Sequence, residues 1–356
     1  LRSSRSRLIL TLDQFWEKVR AAADAVQPAP VVVVTSIAAE LPPLTAAAYR
    51  LSQLKKHIRP QRCLGWKSFL RAGAGTALLP CPLKAGDGAV ILYSGGTTGT
   101  SKGILLSSRN FNALGLQTVE ASGCKPLAGM TMLSVMPVFH GFGLGIGIHT
   151  PLIAGAACIL VPQFSIDSYA RLVMKKRPSF IPGVPTLFEA LLRAERLKNA
   201  DLSFLRGVFC GGDTLTVELK RKVDAFLAAH GSPVQIREGY GTTECVTASC
   251  LTPVQQHREG SIGIPFPDMY YTITAPGTTD ECPAGTEGEI CLRGPTVMLG
   301  YLDAPEETAQ ALRRHADGQL WLHTGDLGMM DADGFVYFRQ RIKRMIITSG
   351  YNVYPS

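Results

Sequence analysis

A chain of 356 residues with 46% apolar composition is long enough to bury a large core and to divide into two or more compact units. Its formal net charge of +8 is scattered over small groups such as Lys55-Lys56 and Lys175-Lys176-Arg177; these read as solvated helix faces, not a nucleic-acid patch, and a mild basic excess favours anionic ligands. No uncharged apolar run reaches transmembrane length, the amino terminus lacks a signal-peptide core, and the nine cysteines form no C-x-x-C pair, so free thiols in a reducing, cytoplasmic compartment are expected.

The first 86 residues mix helical pattern with a Val31-Val32-Val33-Val34 strand and carry no chemical motif. From about residue 89 to 240, short apolar runs alternate with amphipathic stretches. Ala89 to Tyr93, Ala156 to Val161, Ser179 to Gly183, Arg206 to Cys210 and Val234 to Arg237 read as strands; Ser165 to Lys176, Pro185 to Leu197 and Thr214 to His230 read as helices. That alternation predicts a parallel sheet with helical crossovers. Ser94-Gly95-Gly96, Gly211-Gly212-Asp213 and Gly239-Tyr240-Gly241 each follow a strand, which predicts one shared site beyond the carboxyl ends of a single sheet. After about residue 250, runs such as Tyr270 to Thr274 and Gly288 to Arg293 between turn-rich segments predict a small β-rich subdomain. Its last hairpin turns at Asp331-Ala332-Asp333-Gly334. The expected organisation is thus α/β over 1–250, β-rich over 251–340, and a final segment over 341–356.

The strongest chemical segment is Tyr93-Ser94-Gly95-Gly96-Thr97-Thr98-Gly99-Thr100-Ser101-Lys102-Gly103, between a strand and a helix starting near Ser108. Glycines let the backbone close around a ligand, hydroxyls donate hydrogen bonds and one Lys adds positive charge, as a polyphosphate requires. It is not a Walker loop, because no Gly-Lys-Ser/Thr follows at the required spacing. The alternative is a flexible Gly/Thr linker.

This loop resembles the phosphate-binding signature of the adenylate-forming superfamily, which includes acyl-CoA synthetases, luciferases and peptide synthetase adenylation domains; Ser101 stands where that family usually has Pro. Gly239-Tyr240-Gly241-Thr242-Thr243-Glu244 is similar to the second signature. The resemblance implies that Tyr240 lies against adenine, Thr243 contacts the α-phosphate and Glu244 helps hold magnesium. Thr324-Gly325-Asp326 resembles a third, whose Asp326 takes the ribose hydroxyls. Arg341-Ile342-Lys343 resembles the hinge segment, with Arg341 at a ribose-contacting position and Lys343 at the pivot. Pro137 to Gly143 resembles the acyl-site segment, with His140 gating access to the carboxylate, and Gly211-Gly212-Asp213 the loop bordering adenine and the acyl group. For His140 the alternative is a packed core imidazole. The run Gly143-Leu144-Gly145-Ile146-Gly147 is read either as space for an acyl tail or as a device for close helix packing.

The resemblance implies the large amino-terminal domain of an adenylate-forming enzyme, with ATP, magnesium and CoA as cofactors or co-substrates. The expected activity is ATP-dependent activation of a carboxylic acid to acyl-AMP, with Ser94, Gly95, Gly96, Thr97, Thr98, Gly99 and Lys102 around the phosphates, then transfer to CoA. A medium- or long-chain fatty acid is the first expectation and an aryl acid the second. Transfer to a carrier protein, or nucleotide binding without catalysis, remain alternatives. The chain begins with Leu and stops at Tyr354-Pro355-Ser356, so both ends are expected to be cut and a carboxyl-terminal domain to be missing.

Overall fold

The computed structural model describes residues 1, 3–52, 63–77, 80, 82–94, 102–161, 163–342, 346–348 and 351–353. Its contacts divide the chain into Leu1–Leu83 and Lys84–Ser356. In the first unit, Leu8–Leu12, Val31–Thr35 and Leu64–Gly65 form a three-stranded parallel sheet with the valine run central. Val32 and Val34 share one face of that strand and pack with Trp16 and Ala23 of the helix Trp16–Asp24.

The second unit contains the expected parallel sheet. Its strands lie in the order Ala157–Leu160, Thr131–Ser134, Phe180–Gly183, Gly207–Cys210, Ile236–Tyr240, and the short strands Cys250–Leu251 and Ile264–Pro265 extend it antiparallel. The sheet therefore runs past the boundary expected near residue 250. The helices Ile166–Lys176, Pro185–Leu192 and Val217–Ala229 alternate with the strands in sequence. Ser165 and Thr216 cap the first and last of these, each accepting a hydrogen bond from a backbone N–H three residues on. One core beside the sheet holds Tyr169, Phe188, Leu205 and Val223, and a second holds Met132, Phe111, Leu114 and Ile146. Burial of each such side chain contributes about 1.5–3 kcal/mol.

Three expectations change. The run Ala89 to Tyr93 is a strand, Gly88–Ser94, but it belongs to a separate antiparallel sheet with Lys102–Ser107 and Gly300–Tyr301. The physical reason is length: the seven residues from 95 to 101 cannot carry a parallel crossover, which takes a dozen or more. The helix expected over Pro185 to Leu197 stops at Leu192, because Ala194 is extended before a separate turn, Glu195–Leu197. The helix expected from Thr214 begins at Val217, since Thr216 serves as its cap.

The β-rich part is a five-stranded antiparallel sheet built from Tyr270–Thr274, Gly288–Arg293, Leu312–Arg314, Leu320–Met330 and Val336–Arg341. Opposite Gly288–Arg293, the pairing passes from Cys291↔His323 to Glu289↔Leu327, so the long strand carries two extra residues and bulges at Thr324-Gly325-Asp326. Gly325 takes the left-handed conformation there, φ +72°. Its N–H donates to Glu289 Oε1 at 2.9 Å, and Thr324 Oγ1 donates to the Ile290 carbonyl at 2.7 Å.

The helix Ser108–Ser122 joins these sheets and is held at both ends. At its start, Asn110 Oδ1 accepts from Ser107 N (2.7 Å) while Nδ2 donates to the carbonyls of Pro295 and Val297 (2.7 and 2.9 Å). At its end, Arg237, from the parallel sheet, donates to the carbonyls of Ala121, Ser122 and Thr252 at 2.7–2.8 Å. Burial lowers the Arg237 pKa to about 10, which leaves it charged at neutral pH. Replacing Asn110 with Ala leaves two carbonyls and an N–H without partners. We expect a loss of about 2–4 kcal/mol in urea unfolding, and the Asn110→Asp variant, which keeps only the acceptor, should not recover it.

Candidate active site

The carboxyl ends of Gly207–Cys210 and Ile236–Tyr240 open into a cleft of about 580 Å³, closed on its other side by residues of the β-rich sheet. From the parallel sheet come Gly212, Asp213, Glu238, Gly239, Tyr240 and Gly241; from the antiparallel hairpin come Asp326, Phe338 and Arg341. The bulge at Gly325 sets Asp326 across from Arg341 in the strand register, and Arg341 Nε lies 2.9 Å from Asp326 Oδ1. From the other sheet, Tyr240 O–H donates to Asp326 Oδ2 at 2.6 Å. Asp326 is 1% exposed. Burial raises its pKa, opposed by the Arg341 charge and the Tyr240 hydroxyl. Oδ1 is buried and accepts no well-aligned hydrogen bond despite the nearby guanidinium, so one acceptor of this carboxylate stays unmet. The rings of Tyr240 and Phe338 lie 6.0 Å apart at 32°.

Gly241 is required by packing, since a Cβ there would fall 1.7 Å from the Thr247 carbonyl oxygen. That carbonyl arrives through a tight turn. The short helical turn Thr243–Cys245 ends at Val246, whose φ of +67° closes a three-residue turn with Thr247 N–H donating to Cys245 O at 2.9 Å. Positive φ in a β-branched residue is strained, at a cost of about 1–3 kcal/mol. Val246 is fully buried, and its surroundings hold it there.

A second group adjoins the cleft. Glu244 Oε1 accepts from Tyr301 O–H at 2.8 Å, and Lys102 Nζ lies 4.8 Å from the centre of the same ring. Strand pairing places them: Lys102 opens Lys102–Ser107, which pairs with Gly300–Tyr301, and Ser94 stands opposite Lys102. The Glu244 charge contributes to the raised pKa of Asp326, so the two groups share one field.

Among the residues singled out from sequence, Gly212, Asp213, Gly239, Tyr240, Gly241, Asp326 and Arg341 line the cleft together. Lys102 and Glu244 meet around Tyr301. Thr242 is buried against Cys245 and Thr243 is half-buried beside it. Gly95, Gly96, Thr97, Thr98, Gly99 and Lys343 lie outside the described residues. His140 is exposed, with its ring 4.6 Å from that of Phe139, and is not a packed core imidazole. Gly143 and Gly145 behind it serve close packing: a Cβ at Gly143 would lie 2.1 Å from the Pro137 carbonyl oxygen, and one at Gly145 2.6 Å from Leu114 Cδ2. They sit in the π-helical segment Phe142–His149, which sequence periodicity does not announce.

A profile described as AMP-binding enzyme matches residues 1–302. The chain belongs to this family. Among its relatives is the long-chain-fatty-acid–CoA ligase of Bacillus subtilis (strain 168), 33% identical over 364 residues, covering 100% of this chain and 62% of the relative. The 4-coumarate–CoA ligase-like 2 of Arabidopsis thaliana is 36% identical over 275 residues, covering 76% of this chain and 46% of the relative. The chain thus spans roughly half to three fifths of the length of these curated relatives. The crystal structure of ATP-bound MatB from Rhodopseudomonas palustris superimposes with a TM-score of 0.72 at 27% identity, over 99% of this chain and 73% of that one. The fold is that of the amino-terminal domains of adenylate-forming enzymes.

Two side chains of this family member escape motif reading. Tyr301 lies outside every recognised signature, and only the strand pairing reveals it. Glu238 directly precedes Gly239; its Oε1 accepts from Leu215 N at 3.1 Å in the cleft wall. Burial raises its pKa to about 7, opposed by the Leu215 hydrogen bond and the Lys220 charge. Between the unfolded pKa near 4.5 and about 7, the folded state holds this proton more tightly than the unfolded one, so stability falls as pH rises through that window. We expect Glu238→Gln to remove about 1–2 kcal/mol of that decline, after allowance for the partial exposure of the side chain, in urea unfolding at pH 4.5 and pH 7.5.

Proposed function

We propose that the whole protein activates a carboxylic acid with ATP as an acyl-adenylate and passes the acyl group to CoA. The observation that carries this reading is the convergence of Tyr240, Asp326 and Arg341 in one cleft. A buried carboxylate with an unmet acceptor suits a vicinal diol, as in ribose, and the Tyr240 ring offers a flat apolar face to adenine. The ATP-bound structure of MatB, a relative in fold, supports the nucleotide assignment.

In the proposed reaction, a carboxylate oxygen of the acid attacks the α-phosphorus of ATP, the bond from that phosphorus to the bridging oxygen breaks, and pyrophosphate leaves. Lys102 and Thr243 would stabilise charge on the phosphate oxygens. Glu244 has the chemistry to help hold a magnesium ion: a half-buried carboxylate fixed by one hydroxyl donor retains oxygen acceptor sites, and such an ion offsets phosphate charge. Ser94, Gly95, Gly96, Thr97, Thr98 and Gly99 are assigned to the phosphates, Gly211, Gly212 and Asp213 to the border of adenine and acyl group, His140 to the acyl entrance and Lys343 to a hinge. The free state of all eight described cysteines supports a reducing, cytoplasmic setting. Among the described residues no helix is long and apolar enough to cross a membrane.

A medium- or long-chain fatty acid is the first substrate reading, supported by the Bacillus subtilis relative. An aryl acid is the second, because relatives named for 4-coumarate and feruloyl substrates match at similar identity. Pyrophosphate exchange into ATP by the whole protein, run over a panel of acids, tests both. Exchange with fatty acids supports the first reading and exchange confined to aryl acids supports the second. Nucleotide binding without exchange overturns the enzymatic reading. Glu244→Ala is expected to lower exchange roughly 10²- to 10³-fold, with ATP-free unfolding little changed.

A further inference from the structure

Among the described residues, one cluster of side chains outside the cleft carries metal-binding chemistry. Cys291, His315 and His323 are 0%, 6% and 7% exposed, and one ligand atom from each lies within 4.8 Å of the other two. Backbone pairing assembles them. Cys291 and His323 are directly opposed in the antiparallel register of Gly288–Arg293 and Leu320–Met330. His315 comes from the turn that follows Leu312–Arg314, closed by His315 N–H donating to Gln319 O and Gly318 N–H donating to His315 O, both at 3.0 Å.

The imidazoles face each other through Nε2 atoms 3.0 Å apart. Glu289 Oε2 lies 2.9 Å from His323 Nδ1. A carboxylate there holds the ring proton on Nδ1 and leaves the Nε2 lone pair pointing at His315, the arrangement that orients histidine ligands in metal sites. The His315 ring is fixed by stacking on Trp321, with centroids 5.3 Å apart at 20°, and Trp321 Nε1 in turn donates to the Asp317 carboxylate. Cys291 Sγ lies 3.4 Å from His323 Nδ1 and 3.4 Å from Thr274 Oγ1. His315 Nδ1 is buried and has no partner; it is not the nitrogen that faces His323, so an ion held between the Nε2 atoms would leave it as a buried N–H.

We propose that Cys291, His315 and His323 bind a zinc ion, with Glu289 orienting His323. Two imidazoles and a thiolate are a borderline-soft donor set of the kind zinc takes. Tetrahedral zinc needs neighbouring ligand atoms about 3.3–3.6 Å apart, so the Nε2 pair opens by a few tenths of an ångström, Cys291 Sγ, 3.4 Å from His323 Nδ1, swings toward the Nε2 side, and one water completes the four ligands. Binding exchanges the thiol proton for the ion and releases it to solvent. Charged groups around the cluster include Glu289, Glu281, Asp317 and Arg313, with Arg293 3.9 Å from the Asp317 carboxylate. A thiolate plus Zn²⁺ leaves one positive charge, which Glu289 balances. The ion would staple two strands and a turn only three residues before Asp326, bracing the bulge that presents this carboxylate to the cleft.

The test uses the 356-residue chain, loaded with zinc or cobalt(II), dialysed, and assayed by elemental analysis and absorption spectroscopy. We expect about one zinc per chain, a tetrahedral cobalt spectrum with a thiolate-to-metal charge-transfer band, and a higher Tm with zinc than with chelator. Cys291→Ser should lose the charge-transfer band, and His315→Gln should lose both retained zinc and the zinc-dependent Tm rise. Should either variant fail to fold, the wild-type cobalt spectrum decides alone. Failure to retain zinc, an octahedral cobalt spectrum without the thiolate band, or a thiolate band that persists in folded Cys291→Ser overturns the proposal.

Discussion

The cleft depends on one buried charge. Asp326 is nearly inaccessible to water, and a carboxylate in that position is tolerated only if partners replace its hydration. It draws them from two sheets, the Tyr240 hydroxyl from the parallel sheet and the Arg341 guanidinium from the adjacent strand of its own hairpin. Satisfying that carboxylate therefore sets the two sheets against each other, and the space left between them is the cleft. The bulge at Gly325 makes this geometry available. A strand in regular register would not carry two extra residues out of the ladder, and Glu289 occupies the Gly325 N–H that the bulge frees.

The same logic recurs behind the cleft. The helix Ser108–Ser122 has its first turn bonded to carbonyls at 295 and 297 and its last carbonyls bonded to Arg237. Lys102 sits just before that helix on the strand Lys102–Ser107, and Tyr240 just after Arg237 on the strand Ile236–Tyr240. Side chains far apart in sequence are thus placed at and beside the cleft by a helix tied down at both ends. Sub-ångström placement of catalytic groups demands a rigid frame of this kind.

The parallel sheet, its helices and the final hairpin are legible in the sequence because each rests on local pattern. Ala156 to Val161 and Arg206 to Cys210 are short runs bounded by polar or glycine residues, Asp331-Ala332-Asp333-Gly334 marks the hairpin turn, and Ser165 and Thr216 stand at helix starts. The cleft-lining residues are legible for a different reason: Tyr240, Asp326 and Arg341 stand in recognisable signatures. What stayed hidden depends on tertiary placement. The strand Lys102–Ser107 follows a glycine-rich stretch and reads as its continuation until pairing with Gly88–Ser94 and Gly300–Tyr301 is seen. Tyr301 reaches Glu244 across 57 residues, and no periodicity encodes that contact. The Gly143 to Gly147 run is ambiguous by itself, because a missing Cβ reads equally as room for a ligand or room for a neighbouring backbone. Only the Pro137 carbonyl and the Leu114 side chain decide for packing.

Both carboxylates assigned to the nucleotide are partnered by tyrosine hydroxyls, Asp326 by Tyr240 and Glu244 by Tyr301. The choice of donor matters electrostatically. At Glu244 an ammonium in contact would neutralise the carboxylate and compete with a cation for its lone pairs, whereas Asp326 carries the Arg341 guanidinium beside Oδ1 in addition to its phenol. A phenol stabilises the charge by one hydrogen bond, and its own ionisation is suppressed: burial pushes both tyrosines above their usual pKa, and the neighbouring carboxylates push them further. The donors therefore remain neutral across the physiological range. Lys102 fits this division, because it faces the Tyr301 ring and is not paired with the Glu244 carboxylate. Its ammonium lies over the Tyr301 ring and the Glu244 carboxylate at that ring's hydroxyl, so both charges are held by one aromatic side chain.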